Sequence, residues 1–302
     1  MLKVCYALLP LTMAAVALFG WRALALTLVV LFCGFVTEAF FTFPQGKPVT
    51  SAALVTGLIF SLSLPPSLPM WMAAVGIVFG VGFGKMAFGG FGRNVFNPAM
   101  VGRCFLYSAF PLFMTNFWNE PATVAAGGLR FWALSPDAIT GATSLVNLTQ
   151  GISPTLTDLF LGNTAGSLGE TSALLILLAA GYLLYTKVAS WRLLFSCLGG
   201  GILAILVTRE LGVAVSAAPI AALLSGSFLF GTVFVVTEPI SAAKTPAGQV
   251  VYGFFVGVLT ILLRCYSNFP EGMMFAILLA NGLAPLIDLM VRAMPVGKER
   301  AS

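Results

Sequence analysis

The sequence predicts an all-α polytopic membrane protein: about ten transmembrane helices in two five-helix halves, with a long extracytoplasmic loop between helices 5 and 6. Three observations carry this. Only 8% of the 302 residues are charged and 59% are hydrophobic, whereas soluble domains carry roughly a quarter charged residues. The apolar residues gather in runs close to the ~20 residues that a helix needs to cross a bilayer. The basic residues concentrate in alternate connections, as they do in proteins that cross a membrane repeatedly.

Met1-Leu2-Lys3 leads directly into the first apolar segment, about residues 4–20, which reads as a retained helix. A tight turn at Gly20-Trp21-Arg22 separates it from the second, about 22–42. The third covers about 50–64 and stops at Pro65-Pro66; the fourth covers about 69–88. The fifth, about 97–112, opens at Asn97-Pro98, and proline suits a first helical turn. Residues 113–170 form the long polar-tolerant stretch. Five further segments follow at about 171–187, 191–208, 212–236, 248–265 and 270–292. The chain thus divides into a first half (1–112), a loop (113–170) and a second half with a short tail (171–302).

The third and fifth segments are short and carry Pro and Gly. Half-length helices are tolerated in a bilayer only where protein or a cavity covers the freed backbone; tilted ordinary helices are the alternative. Five helices per half is an odd number, so any repeat between the halves is inverted. Ala53-Leu54-Val55-Thr56-Gly57-Leu58-Ile59-Phe60 is similar to Ala222-Leu223-Leu224-Ser225-Gly226-Ser227-Phe228-Leu229, and a proline exit follows each.

With the N-terminus inside, Lys3, Lys47, Lys85, Arg93, Lys187, Arg192, Lys244, Arg292, Lys298 and Arg300 fall on the cytoplasmic side. Arg22, Arg130, Arg209 and Arg264 fall outside, and Arg103 lies within the fifth segment. The bias predicts cytoplasmic termini and an extracytoplasmic 113–170 loop.

Absent residue types exclude several chemistries. The chain has no histidine, which removes bis-histidine haem, His-based zinc sites and His acid–base catalysis. Cys5, Cys33, Cys104, Cys197 and Cys265 are scattered without a C-x-x-C pair, so no iron–sulfur cluster is recognisable from this chain alone. No basic run suggests nucleic acid. Any electron carrier on this chain is therefore organic.

Three polar features stand out. Asp137-Ala138-Ile139-Thr140-Gly141-Ala142-Thr143 lies in the long loop; on its own it is a polar turn ending in a hydroxyl with small neighbours, of a kind able to accept a phosphoryl group. Gly89, Gly90 and Gly92 precede Arg93 and Asn94 and permit close backbone approach to a ligand or a helix. Lys85 and Arg93 read either as positive-inside anchors or as the lining of a site for an organic cofactor or quinone. Glu38, Arg103 and Asp288 are intramembrane ionisable groups, which are costly and often functional. Snorkelling or pairing with a basic end suits Glu38 and Asp288. Arg103, two turns into its segment, is suited to pair with a carboxylate or to stabilise a reduced, anionic organic carrier.

The pattern Asp-x-x-(Ser/Thr)-Gly-Ala-Thr resembles the signature read by bacterial flavin transferases. That resemblance implies FMN esterified through its phosphate to Thr143, with Asp137, Thr140, Gly141 and Ala142 as the recognition positions. The likeness extends along the chain. Gly89-Gly90-Phe91-Gly92-Arg93-Asn94-Val95-Phe96-Asn97-Pro98-Ala99-Met100-Val101-Gly102 resembles the glycine-rich approach and Asn-Pro-Ala helix start of the NqrB/RnfD family. One sibling of that family, RnfD, serves the Rnf electron transport complex; the other, NqrB, serves the sodium-translocating NADH:quinone reductase. Thr237-Glu238-Pro239-Ile240-Ser241 resembles their cytoplasmic Thr-Asp-Pro-(Val/Ile)-Ser element, with Glu238 in place of the expected Asp. Phe269-Pro270-Glu271-Gly272-Met273-Met274 and Ala284-Pro285-Leu286-Ile287-Asp288 resemble their final helix. Only three residues precede the first apolar segment, which favours the Rnf sibling; the Phe-Pro-Glu-Gly-Met-Met wording leans toward the reductase.

The resemblance implies a redox subunit of the bacterial inner membrane, carrying covalent FMN and a second, non-covalent flavin (riboflavin). The complex it implies moves electrons between ferredoxin and NAD, coupled to sodium or proton transport. Its partners are iron–sulfur and second-flavin subunits, a flavin transferase for maturation, and the lipid bilayer. A small-solute transporter or channel is the alternative of another class: ten helices with an inverted repeat and broken segments suit one, but no polar trail is visible on the helices.

Overall fold

The computed structural model describes residues 1–116, 118, 121–122, 127–132, 155–170, 172–213, 219–267 and 272–293. The described elements are all helical. They are α1 (Leu2–Phe19), α2 (Trp21–Thr42), α3 (Ala52–Leu62), α4 (Met70–Gly84), α5 (Pro98–Ala109), α6 (Pro111–Thr115), α7 (Leu156–Leu161), α8 (Ala173–Tyr185), α9 (Trp191–Glu210), α10 (Pro219–Leu224), α11 (Ser227–Phe230, continued by a π turn at Gly231–Val236), α12 (Pro246–Tyr266) and α13 (Met273–Ala293), with short 3-10 turns between some of them.

Six described helices are long and apolar enough to span a bilayer: α1, α2, α4, α9, α12 and α13, with α2 and α4 each lengthened by a 3-10 turn. Large apolar side chains such as Phe32, Phe40, Phe83, Trp71 and Leu178 are exposed on the outer faces of the helices, as a surface facing lipid tails requires. The remaining segments are short. α3 has 11 residues, about 16 Å of helix at 1.5 Å per residue, roughly half the hydrocarbon thickness. Nearly every residue of α3, and every residue from Ser227 to Val236, is buried. The two half-length helices therefore lie inside the protein.

Two boundaries differ from the sequence expectation. The fifth segment is not one helix over 97–112: it breaks at Phe110, and Pro111 starts α6. The eighth is not continuous over 212–236. It breaks at Ser225-Gly226, where Gly226 adopts φ +63° and caps α11. The octapeptides matched between the halves are consequently not equivalent in conformation, since Gly57 sits within unbroken helix.

The halves share an order of packing. α2 contacts α3 and α4, and α4 contacts α5; likewise α9 contacts the π turn and α12, and α12 contacts α13. Small residues allow the closest approaches, as is common between membrane helices. A Cβ on Gly80 would lie 2.5 Å from the Pro98 carbonyl, and one on Gly102 would lie 2.6 Å from the Gly76 carbonyl. In the second half, a Cβ on Gly257 would run into the Cys197 carbonyl. α1 against α8 and α5 against α13 join the halves.

Candidate functional site

Polar side chains collect at two levels. The first lies at the seam between the halves, at the end of the molecule that holds the α2 C-terminus and the α3 N-terminus. Asn97 precedes Pro98 and caps α5: its Oδ1 accepts from the Ala99 and Met100 amides at 3.0 and 3.2 Å. This is the local reason that α5 starts there. With its oxygen occupied, the Asn97 amide group donates across the seam to Glu238 Oε2 at 2.7 Å. Ser241 Oγ donates to the same oxygen at 2.8 Å. Asn281, from the middle of α13, accepts from the Asn97 backbone at 3.0 Å and donates to Tyr252 Oη at 2.7 Å and to the Ser241 carbonyl at 3.3 Å. Asn97, Ser241, Tyr252 and Asn281 are buried.

Glu238 lies in the connector between the π turn and α12. Part of the residue faces a cleft, while protein surrounds it on the other sides. Burial raises the pKa of its carboxyl above the usual carboxylate range; the hydrogen bonds from Ser241 and Asn97 and the charge of Lys85 oppose that rise.

This network separates two hollows. Asn97 and Glu238 face a cleft walled by Thr56 and Ile59 of α3 and by Val233 and Phe234 of the π turn. Ser241 and Asn281 face a second cavity of about 230 Å³, lined also by Gly92, Arg93, Asn94 and Asp288. Gly89, Gly90 and Gly92 all have positive φ, between 85° and 98°, so the turn that brings Arg93 and Asn94 to this cavity requires glycine. Asp288 accepts from the Thr245 hydroxyl at 2.6 Å and from the Lys244 and Thr245 amides, tying the last helix to the start of α12.

Beside the network, Lys85 Nζ pairs with Glu38 Oε2 at 2.6 Å, and Thr50 donates its hydroxyl to Glu38 Oε1 at 2.6 Å. The side chains of Lys85 and Glu38 are only 2% and 1% exposed. Glu38 is thus paired, as its sequence position suggests. Lys85 is not an anchor at the membrane surface: the Glu38 carboxylate draws it inside, because an ammonium that leaves water needs an opposite charge.

The second level lies toward the other end. Arg103 Nη1 donates to Glu170 Oε1 at 3.2 Å, and Nη2 donates to Ser167 Oγ at 3.4 Å; both partners are buried with it. Glu170 ends the polar-tolerant stretch that the sequence presents as loop. Residues 167–170 instead enter the core. The Leu168 amide donates to the Leu64 carbonyl at 3.1 Å and the Gly169 amide to the Leu62 carbonyl at 2.7 Å, covering carbonyls that the end of α3 leaves without helical partners. The connector 63–69 is held from its other side by Arg22, whose guanidinium donates to the carbonyls of Pro66, Ser67 and Leu68. The backbone amides of Trp21 and Arg22 in turn donate to the carbonyls of Phe131 and Trp132.

Of the residues that the sequence singles out, Asp137, Thr140, Gly141, Ala142 and Thr143 lie outside the described residues; their described flanks end at Trp132 and resume at Thr155. Arg103 is described, and a carboxylate, that of Glu170, meets it. Sequence reasoning does not reach Glu170, Ser167, Tyr252 and Asn281. Their signal is polarity within otherwise apolar or loop sequence, which marks a need for partners without naming them. Among the described residues, no group of three or more acidic or cysteine side chains is disposed to hold a metal ion.

Residues 1–297 match the model of the NQR2, RnfD, RnfE family. The chain is 37% identical to the D component of the ion-translocating oxidoreductase complex of Stutzerimonas stutzeri, across 99% of this chain and 91% of that relative. It is 39% identical to the B component of the Na(+)-translocating NADH-quinone reductase of Yersinia pestis, across 90% of this chain and 67% of the relative. The corresponding component from Chromohalobacter salexigens is 40% identical, across 83% of this chain and 61% of the relative. With a match over nearly its whole length, this multi-pass helical chain belongs to the NQR2, RnfD, RnfE family.

Proposed function

We propose that the chain is a membrane redox subunit of an ion-translocating electron transport complex of the Rnf type. In this reading Thr143 carries FMN through a phosphoester, and the complex moves electrons between ferredoxin and NAD while transporting sodium or protons. The observation that carries the proposal is the complete Asp137–Thr143 signature in the loop between the halves. The donor set fits the group. Thr143 supplies the hydroxyl, Gly141 and Ala142 are small neighbours in the sequence, and Asp137 and Thr140 are the remaining recognition positions. FMN supplies the one- and two-electron chemistry that the polar side chains of this protein lack.

The bilayer reading is that of a bacterial inner membrane with cytoplasmic termini, as the basic-residue bias indicates. Iron–sulfur and NAD chemistry then belong to partner subunits, because the chain has no dinucleotide-binding fingerprint, and a flavin transferase completes maturation. The 230 Å³ cavity offers a place for the polar edge of a second, non-covalent flavin. Arg93, Asn94 and Ser241 present hydrogen-bonding groups there. Its volume is below the roughly 300–1,000 Å³ of whole small-molecule sites, so it takes part of such a ligand.

The chain covers 91% of the relative from the oxidoreductase complex, against 67% and 61% of the two from the quinone reductase. A subunit of the quinone reductase is the second reading. Identification of the co-purifying subunits separates the two. The flavin reading is tested by mass spectrometry of the peptide spanning 131–150, isolated from protein made with its flavin transferase. An FMN-sized adduct on Thr143, lost in Thr143→Ala, is expected. An unmodified peptide, or denaturation-resistant flavin fluorescence that survives Thr143→Ala, overturns it.

A further inference from the structure

The cleft that faces Asn97 and Glu238 runs between the two half-length helices, α3 and the π turn that follows α11. Its walls reach Ile59 on one side and Val233 on the other. One turn further from Glu238 stand Leu62 and Phe230. Between them sits Gly169. A Cβ at Gly169 would lie 2.8 Å from Leu62 Cβ and 3.0 Å from the Phe230 ring, so the backbone of the inserted segment fills the gap with no room to spare. Leu62, Leu64, Leu168 and Phe230 are each no more than 1% exposed.

We infer that Gly166–Glu170 is a re-entrant plug that closes the cleft at the end facing the connector 63–69, and that the Arg103–Glu170 pair is its latch. Three features support a separable plug over ordinary core. The segment belongs to neither α7 nor α8. It attaches to α3 through two main-chain hydrogen bonds to an unwound end, without helical continuity. Its one charged group is held by an arginine on a different helix, α5, with Ser167 on the second guanidinium nitrogen. A plug that leaves the core must take Glu170 from Arg103, so the ion pair sets how readily it withdraws.

The plug is also the C-terminal arm of the loop that bears Thr143, and the N-terminal arm reaches the same connector: Trp132 bonds to the Arg22 backbone, whose guanidinium holds residues 66–68. A change in the charge or position of that loop acts on the connector from both sides. This second step rests on the flavin reading; the plug itself does not.

The test uses the assembled complex in native membranes, with the five native cysteines replaced and single reporters introduced. Thr56→Cys, on the cleft wall, is expected to react with a membrane-impermeant maleimide from the cytoplasmic face. Leu62→Cys is expected to be protected from the outer face, and to react there at least about tenfold faster when Glu170→Gln or Arg103→Lys weakens the latch. Gly169→Leu, which leaves the ion pair in place but cannot fit between Leu62 and Phe230, is expected to expose the same reporter. Ready labelling of Leu62→Cys from outside with the latch intact, or unchanged protection in all three variants at normal complex abundance, overturns the plug. In-gel flavin fluorescence of each sample is recorded in parallel. Its absence alongside latch-dependent labelling counts against the flavin reading and leaves the plug standing.

Discussion

Asn97 reaches across the seam between the halves and donates its side-chain amide to Glu238 at 2.7 Å, while its oxygen caps α5. One side chain thereby starts a helix in the first half and satisfies a carboxylate in the second. Asn97→Ala removes both functions. Loss of an asparagine cap costs about 1 kcal/mol, and a partly buried acceptor deprived of one donor costs about 1–3 kcal/mol more. Together these predict a loss of about 2–4 kcal/mol, read as a lower thermal unfolding temperature in detergent. Asn97→Asp is no rescue, because it sets a second carboxylate beside Glu238.

Glu238 makes that stability depend on pH. Its folded-state pKa is raised, chiefly by burial, so the folded chain holds this proton more tightly than the unfolded chain does. The contribution to stability is complete below the ordinary glutamate pKa and is lost as pH rises through the raised value. Unfolding temperature measured from about pH 4 upward, near the ordinary glutamate pKa, is therefore expected to decline across that window. Glu238→Gln, which keeps an acceptor for Asn97 and Ser241 without titrating, flattens the decline. An identical slope in the variant would assign the dependence to another group.

The membrane class, the shortness of the third segment and the Asn97-Pro98 helix start are all legible in the sequence. Each rests on local composition or on one backbone rule. The partnership of Asn97 with Glu238 is not, since the two lie 141 residues apart and no periodicity links them. Glu238 stands out in the sequence only as part of Thr237–Ser241. The break at Ser225-Gly226 escapes a hydropathy reading because the flanking residues are largely apolar, and hydropathy does not distinguish a broken helix from a whole one. Arg103 signals a need for an opposite charge. The residue that meets it, Glu170, is hidden in a stretch whose polar content marks it as loop, and only the tertiary fold draws that stretch into the core.

Arg22 is expected to resist conservative replacement. Its planar fork serves three consecutive carbonyls, of Pro66, Ser67 and Leu68, a geometry that a lysine ammonium cannot reproduce. Arg22→Lys keeps the charge but loses at least one charge-assisted hydrogen bond, a loss of about 1.5–3 kcal/mol. The measurement is hydrogen exchange at the amides of Ser63, Leu64, Ser67 and Leu68. Faster exchange confined to that connector is the expected result; uniform acceleration throughout α3 and α4 would point to general destabilisation instead.

The Arg103–Glu170 pair predicts a non-additive pair of substitutions. Glu170→Gln leaves a guanidinium in the core facing a neutral group, and Arg103→Met leaves the carboxylate without this cation. Each is expected to cost about 3–5 kcal/mol, because the remaining charge has already given up its water. The double substitution Arg103→Met with Glu170→Gln removes both charges and is expected to cost less than either single change. A double-mutant cycle on the unfolding temperature of the purified protein reads the coupling directly. Additive losses would mean that the two residues are stabilised independently of each other. Strong coupling would mean that Glu170, although it follows a loop, is fixed in the core by a charge on α5.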